Sequence, residues 1–185
     1  MGEMERGREE LIALRCRLGE PEAFGELVQV MEARLFYYVR KFVDADESAL
    51  EVLQEVWAAA FKRIRSLDEP DNFRPWIYRI AHNKAVSRFR QDRSEPSFAA
   101  EELDEGTAGA AEPDWNSLDA KRVHEELSRL SPAHREVLVL YFMEEMSYEE
   151  IAEATGATLG LVKSRMFYAK KDLRARLEDA WGGPS

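Results

Sequence analysis

Apolar residues recur at steps of three and four along most of the chain, which is the spacing of one face of an α-helix. The first clear run follows Gly19 and Pro21, which suit the end of one helix and the first turn of the next. It comprises Phe24, Leu27, Met31, Leu35, Tyr38 and Phe42. A second run comprises Leu50, Leu53, Trp57, Ala60, Phe61 and Ile64. A third comprises Phe73, Trp76, Ile77, Ile80, Ala81 and Phe89. No segment alternates with period two, so the pattern predicts a helical bundle.

The helical pattern after residue 119 is interrupted by a turn signal. Ser147 and Glu150 have the Ser-x-x-Glu spacing of a capping box, which starts a short helix. Gly156 can take the left-handed conformation that ends this helix, and Thr158 can cap the next one. That second helix carries the apolar residues Leu159, Val162, Met166, Ala169 and Leu173. Two helices joined by a short turn containing glycine form a helix-turn-helix, whose second helix enters the DNA major groove.

The polar side chains of that second helix suit contacts with DNA. Arg and Lys pair with guanine edges and phosphates, while Ser and Tyr suit phosphates or bases. The residues expected on the DNA side are Thr158, Leu161, Lys163, Ser164, Arg165, Tyr168, Lys170 and Lys171.

The segment "NFRPWIYRIAHNKAVSRFRQ" has the composition of a second nucleic-acid surface, because it interleaves aromatic residues with Arg, Lys, His and Asn. Aromatic faces can stack on bases that are exposed when a duplex opens. Trp76 and Ile77 are better explained as core residues. The candidates for strand contacts lie off the apolar stripe and are Tyr78, Arg79, His82 and Asn83.

The charge of the 185-residue chain is −10, but its placement matters more than its sum. Residues 95–119 hold eight acids and no Lys or Arg, whereas residues 79–93 and 161–176 are locally basic, at +4 and +5. The acidic stretch lacks apolar periodicity and is rich in Ala, Gly and Pro, so it is expected to be a flexible linker. We therefore predict an all-α protein with two small helical domains, residues 1–94 and 120–181, joined by the acidic linker 95–119.

Several protein classes are disfavoured by the remaining features. Cys16 is the only cysteine, which excludes an intramolecular disulfide and agrees with a reducing compartment. The charged N-terminus and short apolar runs favour a soluble, cytoplasmic protein without membrane insertion. The three histidines have no metal-ligand spacing, and there is no Gly-rich phosphate loop, so neither catalysis nor a cofactor or metal is expected.

Three segments together resemble a known family. They are "ALEVLQEVWAAAFKRI", "NFRPWIYRIAHNKAVSRFR" and "LSPAHREVLVLYFMEEMSYEEIAEATGATLGLVKSRMFYAKKDLRARL". In this order they are similar to conserved regions two and four of bacterial RNA polymerase sigma factors of the extracytoplasmic-function (ECF) group. The resemblance covers nearly the whole chain apart from the linker.

The resemblance implies a transcription initiation factor that binds core RNA polymerase at the clamp helices of the largest subunit and at the flap. It also implies promoter DNA as a partner, with the minus-thirty-five element recognised as duplex through region four and the minus-ten element as a melted strand through region two. An anti-sigma factor is a further expected partner. Family positions place polymerase docking on Glu51, Gln54 and Glu55.

By the same resemblance, flipped bases of the minus-ten element would be received by Asn72, Phe73 and Arg74. The non-template strand would be faced by Tyr78, Arg79, His82, Asn83 and Lys84, with Arg88 nearer the duplex.

Three positions depart from the family pattern. The run before Gln54 is Glu51, Val52, Leu53 rather than acid, leucine, valine, and Ala157 stands where isoleucine is common. Leu161 replaces a small polar residue and could contact a thymine methyl group. Two other classes stay open from the residues alone: an operator-binding regulator with an N-terminal sensor, and a helical adaptor that binds only proteins.

Overall fold

The computed structural model describes residues 2–69, 72–93 and 120–181, and these residues form eight α-helices, one short 3₁₀ helix and no strand. The all-α prediction is therefore confirmed over the described residues. The chain divides into two compact units, of which the first is built on the four N-terminal helices and the second on the other four. The predicted linker, residues 95–119, lies outside the described residues.

The N-terminal unit contains α1 (Gly2–Arg17), α2 (Ala23–Val39), α3 (Asp46–Arg63), the 3₁₀ helix (Ile64–Ser66) and α4 (Phe73–Arg93). Gly19 adopts φ +83°, the left-handed conformation that ends α1, as the sequence predicts. Helix α4 packs against α1, α2 and α3. This unit encloses a core in which Leu27, Met31, Leu35, Tyr38 and Ile77 are fully buried.

The face that α3 buries differs from the predicted one. Leu50 and Phe61 are 49% and 65% exposed, although both belong to the predicted apolar stripe. The core side of the helix is instead formed by Ala49, Val52, Leu53, Val56 and Ala60. Helix α3 carries apolar residues on more than one face, so periodicity alone does not identify the side that meets α2 and α4.

The C-terminal unit contains α5 (Ala120–Ser128), α6 (Pro132–Phe142), α7 (Tyr148–Thr155) and α8 (Leu159–Trp181). The capping box is confirmed, since Ser147 N donates to Glu150 Oε2 at 2.8 Å and Glu150 N donates to Ser147 Oγ at 3.2 Å. Gly156 has φ +69°, and Leu161 N donates to Thr158 Oγ1 at 3.2 Å. The turn between α7 and α8 is therefore built as predicted.

The buried side of α8 carries Val162, Met166, Ala169, Leu173 and Leu177, and α8 packs on both α5 and α6. Ile151 of α7 is completely buried as well. Helices α7 and α8 thus form a helix-turn-helix, and α8 occupies the position of the recognition helix.

Candidate nucleic-acid interface

The α4 surface brings together some of the predicted strand-contact residues but not all of them. Exposed side chains belong to Asn72, Arg79 and Asn83, and half-buried ones to His82, Lys84 and Arg88. Phe73, Arg74 and Tyr78, in contrast, are buried. The exposed and half-buried residues of α4 from Arg79 to Arg88 are hereafter called the α4 face.

The expectation that Phe73 and Tyr78 face nucleic acid is wrong for this structure, because both side chains are completely buried. Helix α4 contacts three other helices, so its apolar stripe is wider than a single helical face. The Tyr78 ring meets the Tyr38 ring edge to face, with 5.1 Å between centroids. Both aromatic residues therefore stabilise the core of the N-terminal unit.

The expectation that Arg74 receives a flipped base is also wrong for this structure, because Arg74 is 3% exposed and paired with a buried acid of α1. Its Nε and Nη2 donate to Glu9 Oε2 and Oε1 at 2.6 and 3.1 Å, and Glu9 accepts a third bond from Arg34. Charge-assisted bonds of this bidentate kind fix a side chain firmly. Arg74 is thus an internal anchor in this structure rather than an exposed DNA contact.

The predicted docking residues Glu51, Gln54 and Glu55 are all exposed on α3. Two of them hold cations of the α4 face. Lys84 Nζ lies 2.8 Å from Glu55 Oε2, and Arg88 Nη1 lies 2.8 Å from Glu51 Oε2. The hydrogen bond to Glu51, followed by the contact with Asp92, raises the pKa of the Arg88 guanidinium. The acidic patch of Glu51 and Glu55 and the basic α4 face are therefore direct neighbours.

A groove of about 410 Å³ runs along α4 beside Asn83. It is lined by His82, Asn83, Val86, Ser87, Arg90 and Gln91. Arg90 is exposed there, although it is not among the predicted site residues. The available signal was the basic cluster of residues 79–93, to which Arg90 belongs.

On α8 the predicted DNA side is only partly exposed. Thr158, Lys163 and Lys171 are exposed, and Leu161, Tyr168 and Lys170 are half-buried. Ser164 and Arg165, however, are only 9% and 6% exposed, so the prediction that they face outward is wrong for this structure. Arg165 lies one helical turn before Ala169 and therefore borders the core side of α8.

Two cations of α8 differ in how they are held. The Lys170 Nζ lies 5.2 Å from the Tyr141 ring centroid and 5.4 Å from that of Phe142, which is cation–π distance. The Nε of Arg165 is buried and has no hydrogen-bond partner. A buried donor without an acceptor is costly, and such groups are rare in folded proteins.

The exposed lysines of α8 give a first testable prediction. Lys163→Ala and Lys171→Ala should each weaken binding to every DNA duplex about equally and lower the salt-dependence slope by about one unit, because each removes one phosphate contact. Fluorescence anisotropy with labelled duplexes at several salt concentrations measures both quantities. Lys62→Ala, which removes an exposed lysine from α3, is the matched control. An unchanged slope in both variants would contradict the assignment.

Within the part of the chain that the structure describes, no three His, Cys, Asp or Glu side chains are grouped closely enough to hold a metal ion. No helix among those residues is long and apolar enough to cross a membrane.

Comparison with known families gives two matches on this chain. Residues 27–95 match the family model described as "Sigma-70 region 2", and residues 120–173 match "Sigma-70, region 4". The first range contains α3, α4 and the predicted docking residues, and the second contains the helix-turn-helix.

Two relatives and one solved structure extend the comparison. RNA polymerase sigma factor NccH of Alcaligenes xylosoxydans xylosoxydans is 31% identical over 179 residues, covering 93% of this chain and 96% of that protein. ECF RNA polymerase sigma factor SigW of Bacillus subtilis (strain 168) is 26% identical over 178 residues, covering 89% of this chain and 94% of that protein. The structure of CnrH in complex with the cytosolic domain of CnrY is similar with a TM-score of 0.66 and 27% identity, covering 92% of this chain and 97% of CnrH.

Proposed function

The chain belongs to the sigma-70 family, in its extracytoplasmic-function group, and from this membership we propose that it is a bacterial transcription initiation factor that directs core RNA polymerase to specific promoters. It recognises the minus-thirty-five element as duplex DNA and the minus-ten element as a melted strand. One observation carries this proposal. In the N-terminal unit, the acidic patch on α3 lies directly beside the basic α4 face, whereas the helix-turn-helix belongs to the C-terminal unit.

That pairing favours an initiation factor over an operator-binding regulator. A regulator needs only duplex contacts, which α8 supplies, whereas an initiation factor must also dock on polymerase and hold an unpaired strand. Glu51 and Glu55 supply exposed acids for a protein partner, and Arg79 and Asn83 supply polar groups for a strand. Unstacked bases and their phosphates are bound by such mixtures of cations and polar side chains.

The two units take separate roles in this proposal. The N-terminal domain, residues 1–94, docks on the clamp helices through Glu51, Gln54 and Glu55 and holds the non-template strand on the α4 face. The C-terminal domain, residues 120–181, binds the minus-thirty-five element through Thr158, Leu161, Lys163 and Lys171 and contacts the flap of polymerase. The linker, residues 95–119, joins them, and tethering raises the effective concentration of each unit at one promoter.

The remaining partners follow from the same family. CnrH, 27% identical to this chain, forms a complex with the cytosolic domain of CnrY, which supports an anti-sigma protein as a partner here. The protein acts in the cytoplasm, where polymerase and DNA are found. It supplies binding energy to polymerase and promoter and performs no catalysis of its own.

The direct test is transcription in vitro with core RNA polymerase on a library of random promoter sequences. The proposed function predicts that transcripts depend on the added protein and share two sequence elements upstream of their starts. Transcription that is equal with and without the protein would refute it. Binding of the protein to one duplex operator without polymerase would favour the regulator instead.

Docking can be tested by changing the exposed patch on α3. We expect Gln54→Ala combined with Glu55→Lys to weaken binding to core polymerase at least tenfold, because a new cation replaces an acid at the contact. Titration of fluorescently labelled protein with core polymerase measures the affinity. Glu32→Lys with Gln29→Ala makes the same chemical changes at exposed positions of α2, on a different helix from the patch, and should leave the affinity unchanged. Equal affinities for the two double variants, with equal helicity by circular dichroism, would remove the patch from the interface.

A further inference from the structure

Helix α1 contacts the chain on both sides of the connection that leads into α4. The described residues of this connection are Leu67, Asp68, Glu69 and Asn72. At its start, Arg17 Nη1 of α1 donates to the backbone oxygen of Asp68 at 2.8 Å. Just after its end, Arg74 pairs with Glu9 of α1 through two hydrogen bonds. One helix therefore holds the chain both before and after Asn72.

The contact after Asn72 is the firmer of the two. Glu9 is completely buried and Arg74 is 3% exposed, so water competes little for either partner. The Nε–Oε2 distance of 2.6 Å and the Nη2–Oε1 distance of 3.1 Å give a bidentate, charge-assisted pair. Because Arg74 is the second residue of α4, this pair fixes where the helix begins relative to α1.

The contacts within the connection leave Asn72 restrained but exposed. Its backbone N donates to Glu69 O at 3.1 Å, and its side-chain Nδ2 lies 3.2 Å from Glu69 Oε2. Leu67 is 7% exposed and anchors the start of the connection in the core. Asn72 thus presents a polar amide from a backbone that is held on both sides, which is the arrangement that favours selective binding of a base.

We propose that α1, through Arg17 and Glu9, positions Asn72 for selection of a minus-ten base. This inference rests on the proposed function, in which Asn72 receives a base of the melted strand. Arg17 and Glu9 are positioning residues: they do not touch DNA, but they remove conformational freedom that base binding would otherwise have to remove. Both lie before residue 27, where the match to the region 2 family model begins.

The test uses Arg17→Ala, since Arg17 is exposed and its removal leaves the core unchanged. Holoenzyme formed with each variant is used to select from promoters randomised across the minus-ten element, and base preference is read at every position. We expect Arg17→Ala to reduce discrimination about fivefold, the size of one net hydrogen bond, at the same position that Asn72→Ala affects. Thermal melting, polymerase affinity and upstream duplex binding should not change.

Three further variants distinguish positioning from a merely structural role. Arg17→Lys keeps a donor for the Asp68 carbonyl and should restore most of the discrimination. Arg63→Ala removes another exposed arginine of the same unit and should leave the profile unchanged. The double variant Arg17→Ala with Asn72→Ala should lose no more discrimination than Asn72→Ala alone, because both changes act on one contact.

The inference and the proposed function fail in different ways. If wild-type protein directs polymerase to promoters but Arg17→Ala keeps the wild-type base profile, the positioning role is wrong and the function stands. The same holds if Asn72→Ala has no effect on the profile, or if the losses in the double variant add. If the wild-type protein selects no promoter at all, the proposed function itself is refuted.

Discussion

Glu9→Ala is expected to lower the free energy of unfolding of the N-terminal unit by about 3–5 kcal/mol, the usual effect of removing one partner of a buried ion pair. Glu9→Ala would remove the acceptor to which both Nε and Nη2 of Arg74 donate. The Arg74 guanidinium is only 3% exposed, so water could not easily replace that acceptor. Arg34 would lose the same acceptor with a smaller loss of stability, because its side chain is 25% exposed and water can reach it.

Urea unfolding of the full chain measures this effect when the fluorescence comes from one unit. Trp57 and Trp76 lie in the N-terminal unit, so changing the other two tryptophans, Trp115 and Trp181, to Phe confines the signal to it. Replacing both partners, with Glu9→Leu and Arg74→Met, is the control. It should recover most of the stability, because no buried charge is left unpaired. A loss below about 1 kcal/mol for Glu9→Ala, the range of exposed pairs, would show that the pair is accessible to water.

The buried ion pair also marks the limit of what the sequence could predict. Glu9 and Arg74 are 65 residues apart, and nothing in the local pattern distinguishes them from the other charged residues of α1 and α4. The family resemblance assigned Arg74 to the DNA side, and only the packing of α1 on α4 reverses that assignment. Long-range pairs of this kind require the fold to be known first.

Local signals, in contrast, were sufficient for the helix-turn-helix. The Ser147–Glu150 capping box, the left-handed Gly156 and the Thr158 cap depend on neighbouring residues only, so the backbone chemistry of three or four positions determines them. The exposed side of α8 was harder to predict. Helix α8 packs on both α5 and α6, so its buried face is wide enough to include Ser164 and Arg165. The burial of Tyr78 was missed for a related reason, since α4 packs on three helices.

Arg79→Ala combined with Asn83→Ala is expected to abolish promoter opening while polymerase binding and upstream duplex recognition stay nearly intact. Both residues are exposed on the α4 face, one helical turn apart, and neither belongs to the acidic patch on α3. An open bubble persists only if unstacked bases are held, and a hydrogen bond contributes roughly 0.5–1.5 kcal/mol from a neutral donor such as Asn83 and roughly 1.5–3 kcal/mol from a charged one such as Arg79. Losing both contacts therefore shifts the opening equilibrium strongly toward the closed complex.

Permanganate reactivity of thymines around the start site reports opening directly, and electrophoretic mobility of the closed complex reports binding. A pre-melted template should restore much of the transcription, because the variant then needs only to dock and not to hold the bubble open. Gln29→Ala with Arg63→Ala is the matched control, since it removes one amide and one cation from exposed positions outside α4. Wild-type permanganate reactivity in the Arg79, Asn83 variant would mean that the α4 face is only solvated surface. The melted strand would then have to be held outside the α4 face, and the end of the groove formed by Arg90 and Gln91 is the next surface to test.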